Sequence, residues 1–319
     1  MPRLPQTVAL RGLALIVPWL AAAGCASVAT RAAADALSGT GGVFAQDDDP
    51  ELIADAAPFG LKTMEAVLAE TPRHEGLLLA LASGYTQYAY AFVSEEADRV
   101  REEDYDRAER LEARALNLYR RGLRYGLRGL EARHEGFEAE LRVSAARPEA
   151  LGPDDVPLLY WTAAAWGLSI AASEFAPDAI ADFPLAERLA RWALELDEDW
   201  DDGTVHSLMI TLEAGRPGGD LEAAEGHFRR ALALDGGRRA GTFVSMAESV
   251  CVPAQDVIRF HALLERALAI EVDAYPDERL VNVVMQRRAR RLLAREEELF
   301  LVPLEEAREA SSGELGRNP

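Results

Sequence analysis

Three stretches of this chain repeat one spacing of large and small side chains, and that spacing narrows the choice of fold. Ala186, Ala190 and Ala193 precede Leu194-Glu195-Leu196-Asp197. Ala224, Phe228 and Ala231 precede Leu232-Ala233-Leu234-Asp235, and Phe260, Leu264 and Ala267 precede Leu268-Ala269-Ile270-Glu271. The steps are four and then three, so the three positions share one face of a helix. A small residue in last place lets another helix come close, and the middle residue fills the gap. This is the pattern of the second helix of a tetratricopeptide repeat, whose period is ~34 residues. Ala193, Ala231 and Ala267 recur at slightly more than that. Ala115, Tyr119 and Gly122 fit the same steps less well, and Leu78, Leu81, Ala82 and Tyr85 match a first helix.

The rest of the chain carries the same period. Apolar residues return at three and four, and no run alternates at period two long enough for a sheet. Breaks at Thr71-Pro72, Gly152-Pro153, Ala176-Pro177, Arg216-Pro217-Gly218-Gly219, Gly236-Gly237 and Tyr275-Pro276 cut it into helices of ordinary length. Asp47-Asp48-Asp49-Pro50 predicts a helix start, with acids at the positive end and proline in the first turn. The expected fold is all-α: an array of divergent tetratricopeptide-repeat helical hairpins over 47–301, with a C-terminal tail at 302–319. A helical bundle with Ala-rich helix ends is the alternative.

The N-terminus reads as an export signal over 1–24. Arg3 and Arg11 are followed by an apolar stretch to Ala23, then Gly24-Cys25. A cysteine after small residues is the acceptor a bacterial lipoprotein needs, so Cys25 is the candidate lipid attachment site. An ordinary signal cut at Ala23 or Gly24, or an uncleaved anchor, fits the same residues. Residues 25–46, rich in Ala, Ser, Thr and Gly, predict a flexible tether. Ala26 in place of Asp favours the outer membrane in a Gram-negative host.

The chain carries a formal net charge of -20. Such a surface repels phosphate backbones, which excludes nucleic acid as a partner and leaves membrane attachment to acyl chains alone. Cys25 and Cys251 are the only cysteines, so no disulfide framework exists. Cys251, inside Ser249-Val250-Cys251-Val252, reads as a small buried hydrophobe.

Two predicted helices, Gly76 to Ser94 and Val156 to Ser173, contain no charged residue. A helix apolar all round is buried all round or faces a cavity. Tyr85, Tyr88 and Phe92 fall on one face of the first. Tyr160, Trp161 and Trp166 lie on the second, beside Ala163, Ala164, Ala165 and Gly167. Large rings next to small residues either interdigitate as core or line an apolar channel; both readings stand at this point. The histidines show no metal spacing, and no phosphate loop, dinucleotide fingerprint or nucleophile elbow occurs. No catalytic constellation, metal site or cofactor is expected. Gly236-Gly237-Arg238-Arg239 reads as a helix stop followed by solvated arginines.

Several segments resemble one family in order along the chain. They are Asp48-Asp49-Pro50 with Ala57-Pro58-Phe59, Ser83 to Phe92, Tyr160-Trp161 with Ala165-Trp166, His227 to Leu232, Gln255-Asp256 and Gln286 to Arg290. Together they are similar to the T component of tripartite ATP-independent periplasmic (TRAP) transporters, TatT. The resemblance implies a non-enzymatic, periplasm-facing lipoprotein of cryptic tetratricopeptide repeats. It implies a homotrimer with an apolar channel through each protomer, working with the solute-binding protein of a TRAP importer on a hydrophobic or acidic small ligand. The placing of Tyr85, Tyr88, Phe92, Tyr160, Trp161 and Trp166 along that channel comes from the uncharged helices. The alternative function is a repeat scaffold lipoprotein for envelope assembly with no ligand of its own. If Cys25 carries the anchor, Cys25→Ser is expected to move the protein from the membrane to the soluble periplasmic fraction and to block acylation. A Cys25→Ser protein that still sediments with membranes contradicts this.

Overall fold

The computed structural model describes residues 30–39, 41–174, 176–216 and 218–315. The expected signal and Cys25 lie outside the described residues. Among the described residues all regular structure is helical, with no strand.

Helix α1 (Pro50–Glu70) starts where the acidic run predicts: the Asp49 carboxylate accepts from the Leu52 N–H at 2.9 Å, and Pro50 takes the first turn. Helix α2 (Glu75–Tyr88) is capped by His74 and passes without a break through a π turn (Ala89–Ser94) into Glu95–Val100. Then come α3 (Tyr105–Arg133), α4 (Phe137–Val143), α5 (Val156–Ala171), α6 (Phe183–Leu196), α7 (Thr204–Gly215) and α8 (Leu221–Asp235). Helix α9 (Ala240–Met246) runs into a second π turn (Ala247–Cys251), and α10 (Val257–Leu268), α11 (Arg279–Ala294) and α12 (Leu304–Leu315) complete the chain.

Consecutive helices pair: α2 with α3, α5 with α6, α7 with α8, and α9 with α10. The first members of the pairs also touch in series, α2 to α5, α5 to α7, α7 to α9 and α9 to α11. The spacing seen in the sequence marks the buried faces of the second members. Ala186, Ala190, Ala193, Ala224, Ala231, Phe260, Leu264 and Ala267 are all fully or almost fully buried. Ala115, Tyr119 and Gly122 are buried in the same way on α3.

Glycine decides how α3 packs. A Cβ at Gly126 would stand 3.3 Å from the Thr162 Cα and far closer to its hydroxyl, and one at Gly129 would meet the Leu158 methyls. Gly122 faces Thr86 and the Ala82 carbonyl in the same manner. The three glycines, at steps of four and three, form one bare stripe that seats α3 against α2 and α5 at close range.

The folded body begins earlier than Asp47. Residues 30–38, expected within the tether, are helical, and Ala34 is fully buried against α1 and α2. Gly41–Ala45 forms a short helix on α11. Apolar side chains thus hold this segment although its composition is that of a linker. The expected tail is also helical, and Leu304 and Ala307 pack on the C-terminal core.

The array returns on itself. Arg287 of α11 forks onto Glu51 of α1, Arg279 donates to the Gln46 carbonyl at 3.2 Å, and the Gln46 amide donates to Asp277 at 2.8 Å. The glycine stripe yields a paired expectation. Gly126→Ala is expected to cost about 1–3 kcal/mol through overpacking against the Thr162 backbone. Gly226→Ala, in α8 with nothing near its added methyl, is expected to be neutral or to gain up to about 1 kcal/mol from helix propensity. Urea unfolding of both variants checks this; equal effects would mean that α3 does not depend on close approach.

Candidate ligand-binding centre

The two π turns lie on different pairs but meet around one side chain. A π turn carries one extra residue and shifts the facing of everything after it. Tyr90, near the start of the first turn, packs on both the α2–α3 core and the C-terminal core, and the turn re-aims Glu95 after it. The second turn presents Glu248. Arg288 of α11 reaches both. Its guanidinium lies 5.3 Å from the Tyr90 ring centroid and forks onto Glu248, with Nε to Oε2 at 2.9 Å. Its third nitrogen bonds Glu95, which also accepts from Arg291, and Asp98 lies 3.5 Å away.

This cluster is nearly dry: the side chains of Arg288 and Glu95 are 12% and 11% exposed. Burial works against the arginine charge, but Tyr90, Glu248 and Glu95 more than offset it, so Arg288 stays cationic. Burial pushes the Tyr90 hydroxyl up to about 12, which keeps it neutral. Such a centre presents an aromatic face, a neutral hydroxyl and a fixed cation side by side.

A second aromatic group stands at the start of α5. Tyr160 is 4.9 Å from Trp161 edge-on and 5.1 Å from Trp200, and all three are half-buried. Burial, then Asp201, raises the Tyr160 hydroxyl above its ordinary value. Trp200 is followed by Asp201, Asp202 and Gly203, all with left-handed backbone, a costly run outside glycine. Arg239 holds that run in place. It bonds the Asp201 carboxylate at 3.0 Å, its carbonyl at 2.5 Å, Thr204, and Glu278 at 2.9 Å. Arg239 is therefore a clamp between the turns before α7, α9 and α11, where the sequence reading expected a solvated arginine.

The six rings singled out from the sequence do not share one surface. Tyr85 is 3% exposed and stacks on Tyr125 at 6.0 Å beneath Arg121. Trp166 is 4% exposed, within the α5–α6 core under Arg142. Those two are core. Tyr88 and Phe92 form a half-buried pair at 5.7 Å, with Arg114 on the Tyr88 hydroxyl. Tyr160 and Trp161 form the other pair. Tyr90, Arg288 and Glu248 were missed because Tyr90 lies off the face shared by Tyr85, Tyr88 and Phe92 and its partners come from the far end of the chain. The abrupt return of charge at Glu95, after an uncharged helix, was the available signal.

Other placements follow. His206 and His227, far apart in sequence, meet with Nδ1 atoms 2.8 Å apart, and burial pushes both down, His227 to about 4. Cys251 is buried as expected, its thiol pushed up to about 11 by burial. Among the described residues no group of three or more His, Cys, Asp or Glu side chains is placed to hold a metal, and no helix is long and apolar enough to cross a membrane.

The chain is an all-helical array of paired helices, with α2 and α5 almost free of charge and a buried arginine where its ends meet. Residues 46–300 match the TRAP transporter T-component family. A protein of Treponema pallidum (strain Nichols), described only as uncharacterized, is 30% identical over 274 residues, which cover 81% of this chain and 83% of that one. The chain belongs to the TRAP transporter T-component family.

Arg288 is expected to hold the two ends together. Arg288→Met leaves Glu248, 35% exposed, without its cation and Glu95 with Arg291 alone, so the expected loss is about 1–3 kcal/mol, below that of a fully buried pair. Arg288→Lys keeps the charge but not the fork, and is expected to fall between. Unfolding midpoints in urea check the order; a Met variant as stable as the parent would remove the clasp from the account.

Proposed function

We propose that this protein is the lipid-anchored, periplasm-facing accessory of a TRAP-type transport system, held to the outer membrane through Cys25. In this reading the helix pairs are divergent tetratricopeptide repeats, the protein works as a homotrimer, and it docks the system's solute-binding protein. The observation that carries it is family membership over residues 46–300 in a chain whose first helices are almost free of charge. The apolar passage is assigned to the half-buried rings Tyr88, Phe92, Tyr160 and Trp161, with the Tyr90 ring, held by Arg288, at one end. Tyr85 and Trp166 support the walls from behind. A passage of this kind takes a ligand with an aliphatic or aromatic body and a polar or acidic tip, because burying the body releases water from both surfaces.

The burial of Tyr85 and Trp166 favours a second reading, a scaffold lipoprotein whose rings are core throughout and which holds no ligand of its own. Native mass spectrometry separates the two, since it reports subunit number and any co-purifying lipid or metabolite together. Two variants sharpen it. Trp161→Arg is expected to leave a folded protein that has lost the bound molecule. Trp166→Arg buries an unpaired charge in close-packed helices and is expected to unfold the protein. Loss of folding in both variants, with no molecule bound to the parent, would leave the scaffold.

A further inference from the structure

The charge of this chain is not spread evenly. Helix α3 carries eight arginines against four acids, in a protein with 54 acidic and 34 basic residues. Between Ala113 and Leu130 it has Arg114, Arg120, Arg121, Arg124 and Arg128 and no acid at all. Arg110, Arg114, Asn117, Arg121, Arg124 and Arg128 follow steps of four and three, so they make one stripe about 27 Å long. All of these except Arg121 are exposed, as is Arg120 beside them.

Most arginines elsewhere are committed, as Arg287, Arg288 and Arg291 of α11 are to Glu51, Glu95 and Glu248. On α3, Arg121 is committed to Glu65, Arg114 leans on Tyr88, and Arg128 covers Tyr125. Arg110, Arg120 and Arg124 have no acidic partner among the described residues. In a chain with acids in surplus this is a cost: Arg120, Arg124 and Arg128 repel at one-turn spacing by a few tenths of a kcal/mol per pair. The glycine stripe, about a third of a turn round the same helix, seats α3 closely on α2 and α5 and so presents the arginines in a set array.

We propose that the outward face of α3 is a docking surface for the acidic face of a partner protein. Exposed acids flank the stripe at both ends, Glu102, Glu103, Asp104 and Asp106 before it and Glu135 and Glu138 after it. A flat anionic bilayer meets those acids as well as the arginines, and the rest of the chain repels it. A protein surface engages the stripe alone, within the ~10 Å over which charges act at 0.1 M salt. Arginine forks also match carboxylates in pairs. That the partner is the solute-binding protein rests on the transport reading above; the surface itself does not.

The test uses the full soluble chain, fluorescent poly-L-glutamate as the acidic probe, and vesicles containing phosphatidylglycerol. The parent is expected to bind polyglutamate at low salt and to weaken as salt rises. Arg120→Glu/Arg124→Glu is expected to bind about tenfold more weakly, with an unchanged melting curve because neither side chain has a partner to lose. Arg229→Glu/Arg290→Glu makes the same change in net charge at exposed sites outside α3 and is expected to bind like the parent. Equal weakening in both doubles, or no binding by the parent, overturns the proposal. Vesicle binding that the α3 double abolishes also overturns it and assigns the face to a membrane. Polyglutamate binding needs neither a trimer nor a bound ligand, so failure of the transport reading and failure of this one are told apart.

Discussion

A guanidinium buried between the first and last parts of the array governs how this chain closes. Arg288 joins Glu95, which follows the first π turn, to Glu248 inside the second, and lies against Tyr90 between them. Removing such charges from water costs as much as their attraction returns, so the cluster adds specificity more than net stability. Its geometry admits one arrangement of three helices. The same helix supplies other single-solution contacts. The fully buried Asn282 accepts from the Ala240 N–H at 2.8 Å and donates to the Arg238 carbonyl at 3.0 Å. Gln286 donates to the carbonyls that end α10, at 2.8 Å for Ile270. Helix α11 is therefore positioned by polar atoms that each need one partner, where the earlier pairs are positioned by apolar shape.

Charge is partitioned by layer. The first helices α2 and α5 are almost uncharged, α3 is basic on its free face, and the turns at its ends are acidic. Helices without charge bury against their neighbours at little electrostatic cost, and the charged exterior stays in water. The π turns serve that division. Glu95 follows the first turn and Glu248 lies within the second, and both reach the arginine. A regular α-helix through Ala89–Ser94 sends Glu95 elsewhere.

Much of this was legible in the residues. The steps of Ala186, Ala190 and Ala193 and their equivalents marked the buried faces of the second helices, because a period of 3.6 and the size of a side chain are local facts. Asp49-Pro50 marked the start of α1 for the same reason, and the chargeless runs marked α2 and α5. The candidate centre was only half legible. Tyr160 and Trp161 meet because they are adjacent, whereas Tyr85 and Trp166 entered cores whose other walls, Tyr125 and Arg142, come from the neighbouring helices α3 and α4.

The sequence by itself therefore determined the helical class, the pairing period, the family and which helices stay free of charge, since each follows from residues a few positions apart. Tertiary structure alone decided that the segment around Ala34 packs, that Arg239 is a clamp, and that Tyr90 faces Arg288. The first two depend on partners tens of positions away and the last on one some two hundred positions away, and no local periodicity encodes either.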